Sequence, residues 1–557
     1  MSNTTRIIQQ LGTNLLNMQR SRIKTLDYVM LQLPSSFAPM PRARNIVQRQ
    51  LFGAAPMSLL ECTQALERIG DDPRALGVVL HFRGLAANYA DLQTLRGAIL
   101  RLREKDKRAI AFAPSYRMTE YFVASACDEI LLVPGGMLDT AGMLSQQIFL
   151  KDGMAAVGLQ MDSVAITPYK SASDMLARSQ PSPEAREQTN WLLDSLFEIV
   201  LDGIATTRKM KPAAVREMID AALHNDSDAL TAGYIDGVMN EEALLAHLGV
   251  GTIAPWEEAD GQVYLPAPDF SGKYVALLYA GGAIVDGESQ SPPGDLPIPL
   301  PFVGSERLGD ATLIQQVRHL IRDERCGALV LYIDSGGGSA TASETMASAL
   351  GEFASTRPLV ACMGGVAASG GYYIATPAHW IVAQPSTITG SIGVLMGKLV
   401  NSEMLKKMRF NAVSYLRGEN ADWIAGERPF SDQQRQMVRG SIEHLYRQFI
   451  KRVADSRGKT TDEIDAIGGG RVWTGAQALE CGLVDQLGSL DDASAKARAL
   501  AKLPDSAPLT LVRGKGKPIG VQLAEQNPAA MANYVAEGIT LISSRAQLLM
   551  PFEWRVE

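Results

Sequence analysis

Short apolar runs alternate with helix-period segments over most of this chain, and that alternation predicts its elements. Between residues 51 and 250 the apolar runs ALGVVLHF (75–82), RAIAFA (108–113) and DEILLVPGG (128–136) read as strands, with DLQTLRGAILRLREK (91–105) as a helix between the first two. Strands alternating with helices imply a largely parallel sheet covered by helices, with functional loops at the carboxyl ends of the strands. Ahead of these, TRIIQQLGTNLLNMQRSRIKTLDYVMLQL (5–33) places apolar residues at Ile7, Ile8, Leu11, Leu15 and Leu16, with Arg20, Arg22 and Lys24 beyond. The pattern fits an amphipathic arm that lies on a membrane surface or packs on the body or on another subunit.

The same order recurs about 250 residues later. LGVVLHF at 76–82 parallels GALVLYI at 327–333, and RAIAFA at 108–113 parallels RPLVAC at 357–362. DALTAGYIDGVM at 228–239 parallels AQALECGLVDQL at 476–487, so that Ala229, Leu230, Gly233 and Asp236 match Ala478, Leu479, Gly482 and Asp485. Agreement of several separated segments in one register predicts two copies of one α/β domain. The expected organisation is an N-terminal arm (1–50), a first domain (51–250), a linker (251–272), a second domain (273–500) and a C-terminal tail (501–557) that ends in a helix over 529–549. A Pro-rich insertion, SPPGDLPIPLPFVG (291–304), interrupts the second copy and excludes regular helix or central strand there.

Composition adds mainly exclusions. A net charge of -7 over 557 residues gives no electrostatic footprint for nucleic acid. Cys62, Cys127, Cys326, Cys362 and Cys481 are scattered without a CxxC pair and read as buried thiols; the six histidines show no metal-ligand spacing, and no cofactor is expected. No run reaches the ~18 apolar residues of a membrane span, and the start of the chain lacks the layout of a signal peptide, so the expected location is cytoplasmic or peripheral to a membrane.

Candidate chemistry concentrates in LVACMGGVAASGGYYIATPAHWIVAQPSTITGSIGV (359–393), where an apolar run empties into a small-residue turn holding Ser369. A serine at a helix N-terminus serves either as a simple cap or as a nucleophile beside N–H groups able to hold an oxyanion. The repeat register sets Ser369 against Thr119, and Gly370 and Gly371 against Glu120 and Tyr121, so the first copy has no such nucleophile. Conversely, TPYKSASD in the first copy carries Lys170, where the second has Glu419 and no lysine between Lys407 and Lys451. Each copy thus holds half of a Ser/Lys pair. A neutral lysine amine can activate a serine, but its pKa of ~10.4 must then fall by about 3 units, roughly 4 kcal/mol. The loop DSGGGSATASE (334–344) follows a strand and precedes a helix; its glycines suit an oxyanion site, and it lacks the GxxxxGK[ST] and GxGxxG spacings of nucleotide loops. His379, ten residues past Ser369, is expected to be structural.

DSGGGSATASE, GGVAASGGYYIA, TGSIGV, YKSASD and VWTGAQALECGLVDQLG together resemble the signal peptide peptidase A proteins in their long, duplicated form, over roughly residues 51–500. The resemblance implies two tandem Clp-protease/crotonase-like domains, a homotetramer, peptide substrates such as signal peptides, and membrane association. It also implies Ser369 as nucleophile, Lys170 as general base, Ser391 as the hydroxyl that orients the lysine, and Gly337 and Gly370 as oxyanion donors. Two departures stand out: Gly336 occupies a position where the family usually has proline, and the family's usual N-terminal membrane span is missing. Rivals to the peptidase reading are a crotonase-like acyl-CoA enzyme and a non-catalytic membrane-surface scaffold.

Overall fold

The computed structural model describes residues 3–22, 26–42, 53, 55–266, 272–290, 306–512 and 547–549, with 3–11 and 547–549 as backbone only. The described residues divide into two compact units, one within 3–145 and 193–272, the other within 146–192 and 273–549. The Pro-rich insertion lies outside the described residues.

In the first unit, β1 (Leu26–Gln32), β2 (Ala75–His81), β3 (Arg108–Arg117) and β4 (Glu129–Asp139) form consecutive parallel neighbours. Val78, Val79 and Leu80 on β2 and Ala109, Ile110 and Ala111 on β3 are fully buried. Such continuous apolar runs are what a sheet covered on both faces requires. α1 (Met118–Ala124) follows β3 directly and precedes β4. Two expectations are corrected here. Residues 26–32, assigned to the N-terminal arm, are a core strand, with Tyr28, Val29 and Leu31 buried; LDYVMLQ supplies the continuous apolar run of a covered strand, and the helix described ahead of it is Asn3–Arg20. Residues 253–255, assigned to the linker, pair with β1 as a parallel edge strand.

The second unit contains β5 (Gln160–Ala165), reached before the long helix α2 (Pro183–Arg208), then β6 (Tyr274–Gly281), β7 (Cys326–Ser335), β8 (Gly337–Ser339) and β9 (Leu359–Ala368). After β9 come α3 (Gly370–Ala375), β10 (Ile388–Gly390), β11 (Leu395–Val400), β12 (Val472–Thr474), β13 (Leu509–Leu511) and β14 (Gln547–Leu549). One sheet runs in the order β12-β10-β9-β7-β6-β13; a second runs through Arg307–Gly309, Ala283–Val285, β8, β14, β11 and β5. The tail therefore contributes strands to both sheets, and its last described residues, expected to be helical, are extended because they pair with β8 and β11.

The assignment of Lys170 to the first domain also changes. β5 pairs antiparallel with β11 from Leu395↔Ala165 to Val400↔Gln160, so residues 146–192 group in space with the second unit. A ladder of six residue pairs outweighs proximity along the chain.

The duplication is visible in matched hydrogen bonds. Tyr121 donates its hydroxyl to Tyr234 O and Tyr372 to Leu483 O, both at 2.8 Å. Asp236 accepts from Ile130 N and ion-pairs with Arg208; Asp485 accepts from Ile381 N and ion-pairs with Arg457. With Tyr121 matched to Tyr372, three residues back from each sets Met118, and not Thr119, opposite Ser369, and sets Thr119 opposite Gly370. The register drifts by a residue or two between strands, which a constant offset misses. All five cysteines are free, with Cys481 half-buried and the others buried.

Candidate active site

β9 ends at Ala368, and the chain turns through Ser369 into α3 with φ 56° and ψ -113°. Positive φ in a non-glycine residue costs on the order of 1–3 kcal/mol and persists only where the surroundings hold it. Here Ser369 N–H donates to Gly390 O at 2.8 Å, and Tyr373 N–H donates to Ser369 O at 2.8 Å. Ser369 stands at the N-cap position, yet its hydroxyl makes no cap bond to the helix. The simple-cap alternative is thereby excluded.

The turn is packed against the glycine loop after β7. A Cβ at Gly371 would lie 2.3 Å from Ser335 O, and one at Gly370 would lie 2.7 Å from Ser343 Oγ and 3.0 Å from Gly337 Cα. Only glycine lets α3 approach the loop this closely.

Lys170 is 1% exposed, and its Nζ lies 2.7 Å from Ser369 Oγ, 2.8 Å from Ser391 O and 3.0 Å from Ser391 Oγ. No carboxylate is among these partners. Burial alone pushes the amine well below the ordinary lysine range, because desolvation penalises the charged form. A neutral amine has two N–H groups and one lone pair. The Ser391 carbonyl can only accept and so takes one N–H; the lone pair is left for a hydroxyl proton. Ser391 is fully buried, adopts φ 51°, and donates its N–H to Arg471 O at 2.7 Å.

The three expected side chains Ser369, Lys170 and Ser391 therefore come together, and Gly337 lies beside the serine turn, but its N–H is already engaged. Gly337 N–H donates to Ser335 Oγ at 3.2 Å, and that hydroxyl in turn donates to Gly282 O at 2.6 Å. The next amide, Gly338 N, lies 3.2 Å from the point where a Cβ on Gly370 would sit, directly beside the serine turn. A serine two residues before an amide commonly captures it, and that rule, applied to Ser335 and Gly337, would have pointed to Gly338 in the sequence. β8 also carries an extended segment along its edge: Gly337, Gly338 and Ser339 pair antiparallel with Leu549, Leu548 and Gln547.

The corresponding turn of the first unit is filled. Glu120, 2% exposed, accepts Gly84 N–H at 2.7 Å, Leu85 N–H at 3.0 Å and Arg117 N–H at 3.0 Å, so the loop amides there are occupied by a carboxylate. His379 accepts Leu359 N–H on Nδ1 at 3.1 Å, which fits its structural reading.

A family model described as Peptidase family S49 matches residues 101–251 and 352–504. A protein named Protease 4 from Salmonella typhi is 32% identical over 484 residues, covering 82% of this chain and 75% of that protein. A chloroplastic serine protease SPPA from Arabidopsis thaliana is 30% identical over 467 residues, covering 82% of this chain and 68% of that protein. Among solved structures, a ClpP1 mutant from Listeria monocytogenes aligns with 39% of this chain and 93% of its own, at 12% identity and a TM-score of 0.25.

Proposed function

The chain belongs to peptidase family S49, and from that premise we propose that it hydrolyses extended apolar peptides, signal peptides among them, with Ser369 as nucleophile and Lys170 as general base. It is a serine peptidase. The observation that carries the assignment of roles is the buried amine of Lys170, 2.7 Å from Ser369 Oγ.

Neutral Lys170 takes the Ser369 hydroxyl proton as Oγ attacks the scissile carbonyl carbon. Ser391 holds the amine from two sides, through its carbonyl and its hydroxyl. The carbonyl oxygen becomes an oxyanion, for which Gly370 and Gly338, in place of Gly337, are the proposed N–H donors; one such donor is worth about 10²–10³ in rate. The tetrahedral intermediate collapses as the lysine ammonium returns its proton to the departing amine, leaving an acyl-serine. A water then repeats the sequence, deprotonated by the lysine, and releases the acid product and free Ser369.

Extended substrates fit because β8, next to these amides, already accepts a strand along its edge from β14. Strand addition recognises main chain and is tolerant of side-chain identity. Assembly as a homotetramer and peripheral membrane contact through the N-terminal helix, whose Leu15 and Leu16 are 53% and 45% exposed, belong to the same proposal. A buried lysine aimed at a serine has no task in acyl-CoA chemistry or in a scaffold. Peptide hydrolysis by Ser369→Ala and Lys170→Ala tests the roles: each variant is expected to lose activity while staying folded, and full activity in either refutes the assignment.

A further inference from the structure

The glycine run 468–470 and Arg471 lead into β12, and this loop lies directly on the lysine segment. A Cβ at Gly470 would stand 2.7 Å from Lys170 N, Cα and Cβ, and one at Gly393 would stand 3.2 Å from Lys170 Cδ and 2.9 Å from Gly470 N and Cα. Gly470 N–H donates to Ile392 O at 2.8 Å, and Arg471 O accepts Ser391 N–H at 2.7 Å. Thr167 donates its hydroxyl to Gly469 O. The main chain of this loop therefore touches Lys170 on one side and holds Ser391 on the other.

The Arg471 side chain supplies the lateral support. Its guanidinium carbon lies 4.3 Å from the Tyr169 ring centre, 5.6 Å from that of Trp191 and 5.8 Å from that of Trp473. The two indoles meet edge to face at 5.6 Å. Glu187 accepts the Tyr169 hydroxyl at 3.0 Å and lies 3.4 Å from Arg471 Nη2, while Gln188 accepts Val472 N–H at 2.9 Å. The Glu187 carboxylate is 53% exposed in this pair, and such surface ion pairs contribute about 0–1 kcal/mol. Stacking of a guanidinium on aromatic faces contributes roughly 0.5–2 kcal/mol for each ring. The stack is thus the stronger attachment.

We propose that Arg471 is a positioning residue for Lys170: stacked on Tyr169, the residue before the lysine, it clamps the 468–471 loop against the main chain and Cβ of Lys170 and so keeps water from the amine. The proposal rests on the reading of Lys170 as the base. The charged or titratable groups around the lysine segment and its loop include Arg471, Glu187, Tyr169, Asp174 and Tyr446, the last accepting Gly469 N–H at 2.8 Å and donating to Asp465. On the serine side the hydroxyls of Ser369 and Ser391 meet the amine, while Tyr372 and Tyr373 of α3 donate to Leu483 O and Glu344, and Asp334 accepts Val366 N–H of β9 at 3.1 Å. Since burial is what depresses the amine, opening the clamp to water moves it back toward the ordinary lysine range.

The test is the pH dependence of peptide hydrolysis in the full chain, for wild type, Arg471→Ala, Arg471→Lys and Tyr169→Leu, with Lys170→Ala as control. Arg471→Ala should move the acidic limb to higher pH, lower kcat near neutrality about tenfold or more, recover at alkaline pH, and leave KM within about twofold. Arg471→Lys keeps the charge without the planar face and should shift the limb part of the way. Tyr169→Leu removes the stacking surface and should shift it in the same direction, which keeps the test decisive should Arg471→Ala fail to fold. Loss of kcat by one factor at every pH, or an unmoved acidic limb in Tyr169→Leu and Arg471→Lys, overturns the proposal. Activity persisting in Lys170→Ala would instead refute the assignment of the base, and so separates the two failures.

Discussion

Lys170 Nζ and Ser369 Oγ lie 2.7 Å apart although 199 residues separate them in the chain. The antiparallel ladder of β5 on β11 brings them together, because Lys170 lies just beyond β5 and Ser391 lies just ahead of β11. A base delivered by a strand is held more rigidly than one delivered by a free loop, which the bond lengths of the cluster require.

The lysine has a consequence for stability as well as for rate. Its amine is depressed in the folded chain, so the unfolded chain binds more protons between the folded and unfolded pKa values, and stability rises with pH across that window. Lys170→Met should therefore raise the melting temperature at pH 7, and its advantage should shrink as the pH approaches about 10.5, the ordinary lysine value. Thermal denaturation at several pH values measures this.

Gly371 meets the backbone of Ser335, which cannot retreat without moving the oxyanion loop. A Cβ there, 2.3 Å from Ser335 O, should displace Gly338 from the serine turn. Gly371→Ala is expected to lower kcat by about 10²-fold or more with a smaller change in KM, consistent with loss of an oxyanion donor. Steady-state kinetics on a peptide substrate provides the measurement.

Leu548 faces Gly338 across the β8–β14 ladder, and the proposed substrate uses that same edge of β8. Leu548→Pro removes a main-chain donor and weakens the added strand. Extended peptides should then bind more readily, with KM lowered several-fold, on the order of 1 kcal/mol of released competition. An unchanged or raised KM would show that the two strands do not compete.

The paired aspartates of the duplication should differ in weight. Arg457 and Asp485 are 10% and 19% exposed, whereas Arg208 and Asp236 are 11% and 33% exposed. Asp485→Ala leaves a mostly buried guanidinium and the Ile381 N–H without that partner, and should cost about 3–5 kcal/mol. Asp236→Ala should cost less, in proportion to its greater exposure. Urea unfolding of the two variants compares them.

Much of this was legible in the sequence because it is local or repeated. The strand runs at 75–82 and 108–113, the turn at Ser369 and the complementarity of Lys170 with Ser369 all follow from pattern and register. Strand β1 was hidden because Leu26 to Gln32 continues the apolar spacing of the helix before it. The partner of β5 was hidden because ladder pairing leaves no mark in local periodicity. The choice between Gly337 and Gly338 depended on a hydroxyl two residues away, and Met118 replaced Thr119 because the offset between the copies is not constant. Arg471 carries no motif of its own; its position between Tyr169, Trp191 and Trp473 exists only in the folded chain.

The central claim is that Lys170 activates Ser369. Intact-mass and peptide mapping of the chain treated with a fluorophosphonate, over a range of pH, tests it most directly. The expected result is a single adduct on Ser369 whose rate of formation rises with pH in the wild type and is abolished in Lys170→Ala. An adduct on another residue, or equal labelling of Ser369 in folded Lys170→Ala, would contradict it.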